Sequence, residues 1–463
     1  MGQRLRILRE RGLALLTGGT LAKFEDLEAD WLSCEEALAR ILDTASPMPS
    51  TRIPAWNARG RSLSEAVHAG ATLPAWRNSA MDGFAVRSAD VAGSGDSEVR
   101  LPVTGKSYPG SIPLKGVPRG SSVRVMTGGP IPEGFDSVIR VEHTDGEALP
   151  GYVVVHRTDD LGKHVRAAGQ DMARGDETVP AGAVVHSGSL PVILASGCDP
   201  VPVFRRPRVG VLSSGDELVG TKRFDLVAAG KGIPDTNRAM IAASVLEAGA
   251  VPVDLGTAPD DALALGDMLQ SVEGVDVLVT TGGASMGEKD LLKRILLGLS
   301  FRLDFWRARV RPGSPLSFGH MPLGDTDLPV FGLPGNPASA FVTFHVFVAP
   351  YLRARLGSPC PTGLTVVART DTALVSPPGL TQFYRVRLSR EAGGQRRARG
   401  AGGERGPSPV GAEGVGRCSL TGPQGSGLVR SLRDADGLAV VPEGVGRIEK
   451  DEPVSVVLLP GRS

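Results

Sequence analysis

The chain has 463 residues, too many for one small module, so three or four domains are expected. Hydrophobic residues make up 41%, charged residues 22% and aromatics only 5%, which excludes global disorder and fibrous repeats and predicts cores built mainly from aliphatic side chains. Lysine and arginine number 51 against 50 acidic residues, a net charge of +1, so no overall field draws the chain toward nucleic acid or an anionic membrane.

The four cysteines, Cys34, Cys198, Cys360 and Cys418, form no CxxC pair, so neither a disulfide framework nor a structural zinc site is expected. The arginine-bearing start carries only a short Leu-Ala-Leu-Leu run, too short for an export signal, and no stretch approaches the roughly 18 apolar residues of a spanning helix. A cytoplasmic protein without membrane or nucleic-acid partners is the expectation.

In chain order, residues 33 to 44 place Ala37, Leu38, Ile41 and Leu42 at helical spacing behind Ser33, with Glu36 completing a capping box. From Thr72 to Arg166 short extended runs such as VRVMTG, DSVIRVE and YVVVH alternate with Gly, Pro and Asp, the pattern of a β-rich domain. A further extended stretch, 178 to 204, closes at a basic boundary, Arg205-Arg206-Pro207. Beyond it the period changes. Strands RVGVLSS, VPVDLG, VDVLVTT and DLPVFGL alternate with helices starting at Asn237, Asp260, Leu291 and Pro337, which predicts right-handed crossovers and a mostly parallel, doubly wound sheet. From Gly357 the chain returns to short extended segments, the mark of a small β-barrel or sandwich, interrupted by a Gly/Arg-rich tract at 391–417 read as an enlarged loop.

Ligands of such a sheet bind beyond the carboxyl ends of its strands. Four strand-end segments there, SSGDEL, DTN, TTGGASMGEKD and GLPGNPAS, carry small residues whose exposed amides suit an oxyanion. Their candidate substrate-binding residues are Ser214, Gly215, Asp235, Asn237, Gly282, Gly283, Ser285, Gly287, Gly335 and Asn336. Carboxylates in the same loops, Glu217, Asp260, Asp261 and Asp290, would repel a phosphate unless a divalent cation intervened, which points to Mg2+. Arg307, Arg309 and Arg311 alternate along FWRARVRPG, so one strand would present all three guanidinium groups on a single face. The seven histidines form no spaced cluster, and His143, His156 and His164 read as surface or packing residues. The full P-loop motif GxxxxGK[ST] is absent, and neither serine-triad nor Walker-type hydrolysis is expected.

Several of these segments, with NSAMDGFAVR, RVMTGGPIPEGFDSVI, GQD, RPGSPLSFG, QFYRV and TGPQGSG, occur in an order that closely resembles the MoeA-type molybdopterin molybdenumtransferase family, which is also similar to the E domain of gephyrin. The resemblance implies an elongated multidomain homodimer of α/β plus β class. Its parts would be a linking β-domain (26–67 and 168–205), an inserted β-rich lobe (68–167), a molybdopterin-binding α/β domain (206–356) and a C-terminal β-barrel domain (357–463). It implies insertion of molybdenum from molybdate into adenylylated molybdopterin, with Mg2+-dependent release of AMP. Molybdopterin adenylyltransferase and apo-molybdoenzymes become candidate partners.

Carried over by position, the resemblance assigns catalytic roles to Asp82, Thr127, Asp171, Glu217, Asp260 and Asp290. It places molybdate contacts at Arg311, Ser314, Pro315, Ser339, Arg385 and Ser426, with Arg307 a further substrate contact. The family commonly carries lysine where Arg311 and Ser314 stand, so one cation is exchanged and the other replaced by a hydroxyl. An alternative reading is therefore a divergent paralogue that binds or delivers the pterin, or handles tungstate, without inserting molybdenum.

Overall fold

The computed structural model describes residues 31–92, 98–259, 267–269, 272–282, 300–323, 326–389 and 416–461. It divides into two compact units, one running from Arg52 to Val203 and the other combining the chain up to Thr51 with Phe204 onward.

The second of these opens with helix α1, Cys34–Asp43, where the sequence placed it. The Ser33 hydroxyl accepts from the Glu36 amide and the Glu36 carboxylate accepts from the Ser33 amide, so two otherwise orphaned donors are satisfied. Ala37 and Ile41, one turn apart, are fully buried against the α/β core.

In the unit Arg52–Val203, strands β1 (Gly83–Val86), β2 (Val99–Ser107), β3 (Ser122–Val125), β4 (Ser137–Arg140) and β5 (Tyr152–Val155) form one sheet in the order β4-β1-β3-β2-β5. Its inner strand β1 is buried at every position, and cores lie on both sides of it, Phe84 and Ile139 in one, Ala85 and Phe135 in the other. A separate aliphatic core gathers Leu63, Val67, Val179, Ile193, Val201 and Val203.

In the other unit, β6 (Arg208–Ser214), helix α2 (Asn237–Glu247), β7 (Val251–Ala258) and β8 (Val277–Thr281) stand where the sequence placed them, and the predicted helix starts at Asp260 and Leu291 lie outside the described residues. Beyond them come β9 (Arg302–Arg307), β10 (Val310–Arg311), β11 (Pro315–Leu323) and β12 (Thr326–Leu333). The sheet order is β7-β6-β8-β12-β11-β9; the first four strands are parallel, and β11 and β9 extend the sheet antiparallel. The parallel strands β6, from Val209 on, and β8 are buried on both faces, the burial expected of central strands in a covered parallel sheet. The antiparallel extension was not anticipated, because FWRARVRPG reads as one continuous strand.

Helix α3, Pro337–Thr343, continues through a π-helical turn, Phe344–Val348, into α4, Ala349–Arg355. Strands β13 (Thr365–Thr370), β14 (Thr381–Ser389), β15 (Gly416–Leu420), β16 (Gly437–Val441) and β17 (Pro453–Leu458) then close a five-stranded barrel in the cyclic order β14-β15-β13-β17-β16. Strand β10 joins it through Val310–Thr381 and Arg311–Gln382. The α/β domain and barrel thus share backbone pairing. No described helix is long and apolar enough to cross a membrane.

Candidate functional site

The carboxyl ends of the parallel strands bring three predicted loops into contact. Gly282, just past β8, has φ +91°, and a Cβ there would lie 2.4 Å from the Ser214 carbonyl oxygen at the end of β6. Only glycine permits both that conformation and that approach. A Cβ added at Gly335 would lie 3.6 Å from the Gly282 Cα, and the Asn237 side-chain amide, opening α2, donates to the Gly335 carbonyl at 2.7 Å. Glu217 folds its exposed carboxylate over the Gly215 turn and has no side-chain partner among the described residues.

Asp235 sits beneath these loops, its side chain 2% exposed. It accepts from the Ser213 hydroxyl at 3.1 Å, the Thr257 hydroxyl at 3.0 Å and Arg238 Nε at 2.9 Å. Those bonds tie the ends of β6 and β7 to α2, so this carboxylate is occupied in holding the loops together.

A second group meets where the barrel reaches α3. Ser426 accepts from the Asn336 amide side chain at 3.3 Å and, through its carbonyl, from the Ala338 amide at 2.9 Å. Gly313 lies against the same helix, its Cβ position 3.3 Å from the Ser339 carbonyl and 2.4 Å from the Thr343 methyl. Ser339 is buried at the first turn, and Arg311 is exposed with no side-chain partner among the described residues. The Ser314 hydroxyl donates to the Val310 carbonyl at 2.6 Å, which keeps the Arg-Pro-Gly-Ser turn tight.

Arg385, on β14, is completely buried and faces no carboxylate among the described residues. Its Nε donates to Ser431 at 2.9 Å and Nη2 to the carbonyls of Pro423 and Gly425 at 3.4 and 3.3 Å, while Nη1 has no partner. Burial pushes its pKa down to about 10. The guanidinium is thus held by one hydroxyl and two carbonyls, with one N–H group not engaged among the described residues. Gln424 supports it, accepting from the Arg385 amide at 2.9 Å and donating to its carbonyl at 3.2 Å. Neither Gln424 nor Ser431 was singled out from the sequence, although Gln424 lies inside TGPQGSG.

The alternating arginines do not share a face. The strand breaks between β9 and β10, so Arg307 lies over the rings of Trp31 and Trp306 at 4.9 and 3.9 Å, and Arg309 pairs with Glu443 at 2.8 Å. Alternation holds only while a strand is continuous.

In the Arg52–Val203 unit, Asp82 Oδ1 accepts from the Thr127 amide at 2.7 Å and hydroxyl at 2.9 Å, and those bonds lower the carboxyl's pKa. Asp171 is exposed next to the backbone pairing of Leu73 with Met172. Asp260, Asp261, Gly283, Ser285, Gly287, Asp290 and most of the 391–417 tract lie outside the described residues. Among the described residues no group of three or more His, Cys, Asp or Glu is arranged to hold a metal.

Glycine-lined strand ends and a barrel fused to the sheet define a doubly wound α/β protein with appended β-domains. The model of the MoeA N-terminal region (domains I and II) matches residues 32–197, that of the probable molybdopterin binding domain 210–354, and that of the MoeA C-terminal region (domain IV) 401–459. Molybdopterin molybdenumtransferase 2 of Mycobacterium tuberculosis is 33% identical over 402 residues, 85% of this chain and 91% of that protein. The molybdopterin molybdenumtransferase of Bacillus subtilis is 30% identical over 86% of this chain and 87% of its own length. The crystal structure of a molybdopterin biosynthesis MoeA protein from Pyrococcus horikoshii matches with a TM-score of 0.73 at 27% identity, covering 93% of this chain and all of that one. The chain belongs to the MoeA family.

Proposed function

We propose that this protein is a molybdenum insertase of molybdenum cofactor biosynthesis, a cytoplasmic homodimer that transfers molybdenum from molybdate into adenylylated molybdopterin with release of AMP. The observation that carries this reading is the buried Arg385 without a carboxylate partner, beside the Asn336–Ser339 helix start whose neighbouring loop, through Gly335, joins the Gly282 and Asn237 strand ends. A small dianion would be met by Arg385, Arg311 and hydroxyl or amide donors of Ser314, Ser339 and Ser426, with Pro315 fixing the end of that turn. The pterin and its phosphates would lie along Ser214, Gly215, Asn237, Gly282 and Gly335, close enough to turn a bimolecular transfer into one within a single site.

The exposed, unpaired carboxylate of Glu217 is a hard oxygen donor of the kind Mg2+ takes together with phosphate oxygens and water, and Asp260, Asp261 and Asp290 would complete the protein's share. Bound there, Mg2+ would neutralise phosphate charge as AMP leaves. Asp82 stays ionised because Thr127 donates to it twice, and we assign this pair, with Asp171, to the pocket of the second copy. Molybdopterin adenylyltransferase would supply the substrate and apo-molybdoenzymes would receive the product.

The test is AMP release from adenylylated molybdopterin by the purified chain with Mg2+, with and without molybdate, followed by reconstitution of a molybdenum-free apo-enzyme. Molybdate-dependent AMP release with reconstitution is expected. Pterin binding without either would refute insertion and leave the carrier reading, which the engagement of the Ser314 hydroxyl by Val310 favours. Turnover with tungstate but not molybdate would assign the other oxyanion.

A further inference from the structure

We propose that the Arg52–Val203 unit carries a second small-molecule site, a cleft for a planar amino-substituted heteroaromatic ring bearing a phosphate, lined by none of the residues assigned above. The cleft has a volume of about 770 Å³, within the range of ligand pockets. Trp76 lines it and is 50% exposed, Leu114 and Ile131 give it an apolar floor, and Arg77, Lys115 and Glu133 stand at its exposed lining.

The walls are fixed before any ligand arrives. Ile131 donates its amide to the Arg77 carbonyl at 2.8 Å, and Leu114 and Val117 pack onto the lobe core. Arg87 holds the far end of the 112–117 loop, donating to the carbonyls of Val117 and Pro118 at 2.9 Å each. A rigid cleft loses little ordering entropy on binding.

Its charged groups are unspent. Elsewhere in this unit, Arg87 pairs with Asp90, Arg140 with Asp160 and Arg157 with Asp159, while Arg100 and Arg124 lie over aromatic rings. The side chains of Arg77, Lys115 and Glu133 have no ion-pair or hydrogen-bond partner among the described residues. Two cations suit a phosphate, an exposed indole face suits ring stacking, and a carboxylate suits the N–H of an exocyclic amine. An aliphatic acid would leave the indole and Glu133 unused.

The probe is AMP, read as quenching of intrinsic fluorescence in the full chain and in Trp76→Phe, so that the difference reports Trp76 alone. A saturable Trp76-dependent signal is expected, weakened at least tenfold in the Arg77→Gln/Lys115→Gln double variant at unchanged melting temperature. Adenosine and inorganic phosphate should each bind at least tenfold more weakly than AMP. Equal quenching in Trp76→Phe, or unchanged AMP affinity in the double variant, overturns the proposal. Competition between AMP and a phosphorylated pterin distinguishes a nucleotide from a pterin occupant, and displacement by either supports the shared chemistry. The inference does not rest on the insertase reading: Arg385→Met, which disables the proposed oxyanion site, should leave the Trp76 signal intact.

Discussion

Replacing Arg385 by methionine separates the folding cost of a buried cation from its use. Burial lowers the guanidinium pKa to about 10, equivalent to about 3 kcal/mol of lost hydration carried by the folded state at neutral pH. Against that stand three hydrogen bonds, to Ser431, Pro423 and Gly425, each contributing about 1 kcal/mol net and somewhat more because the donor is charged. The two sides nearly cancel, so Arg385→Met should shift stability by no more than about 1 kcal/mol, helped by a methionine stem that fills much of the same volume. Function should not cancel. Molybdate at a hundred times its dissociation constant should stabilise the wild type by about 2.7 kcal/mol and the variant not at all. Molybdate-dependent AMP release should fall at least a hundredfold, about 2.7 kcal/mol of lost binding or transition-state contact. Thermal melts with and without molybdate, alongside turnover, decide it. A loss of more than about 3 kcal/mol without ligand would make the guanidinium a structural cation satisfied by its carbonyls, and retained molybdate stabilisation would remove it from the oxyanion site.

Gly282→Ala should destabilise the α/β domain by about 2–4 kcal/mol and abolish pterin binding, because a Cβ meets the Ser214 carbonyl at 2.4 Å at φ +91°; a fully stable variant that still binds pterin by calorimetry would contradict this strand-end geometry. Asp235→Ala should cost about 1–3 kcal/mol in urea unfolding, since it removes the shared acceptor of three donors from neighbouring elements, whereas Asp235→Asn, which keeps an acceptor, should cost about half as much. Asp160, 1% exposed, works against burial through bonds from Arg140 and His164, and its pKa is held well below the usual carboxylate range. A depressed folded pKa contributes stability above the unfolded value near 4 that is lost as pH falls through the folded one, so wild-type melting temperature should drop on acidification below about pH 4 and Asp160→Asn should flatten that slope; an unchanged slope would show that Asp160 is not the titrating group.

The candidate site was legible where chemistry is local. Gly282, Gly335 and Asn237 were found because glycine at a strand end and asparagine opening a helix carry their meaning within a few residues, and the capping box at Ser33 and Glu36 is complete within four. Arg385 was reached through a motif resemblance; nothing in QFYRV says that the arginine is buried without a counter-charge, which depends on a loop some forty residues away. The arginines of FWRARVRPG were misread because strand alternation was extended across a break whose cause is tertiary: Val310 and Arg311 leave the sheet to pair with Thr381 and Gln382 of the barrel.

The sequence by itself determined the α/β alternation, the glycine turns at the strand ends and the family, because each is written in short-range periodicity or in ordered motifs. Only the tertiary structure decided which polar groups remain available. Asp235 is consumed by three donors from neighbouring elements and Arg309 by Glu443, whereas Arg385 is enclosed with a donor to spare. Whether a charged side chain is satisfied or waiting depends on partners brought in from distant parts of the chain, and no local pattern encodes them.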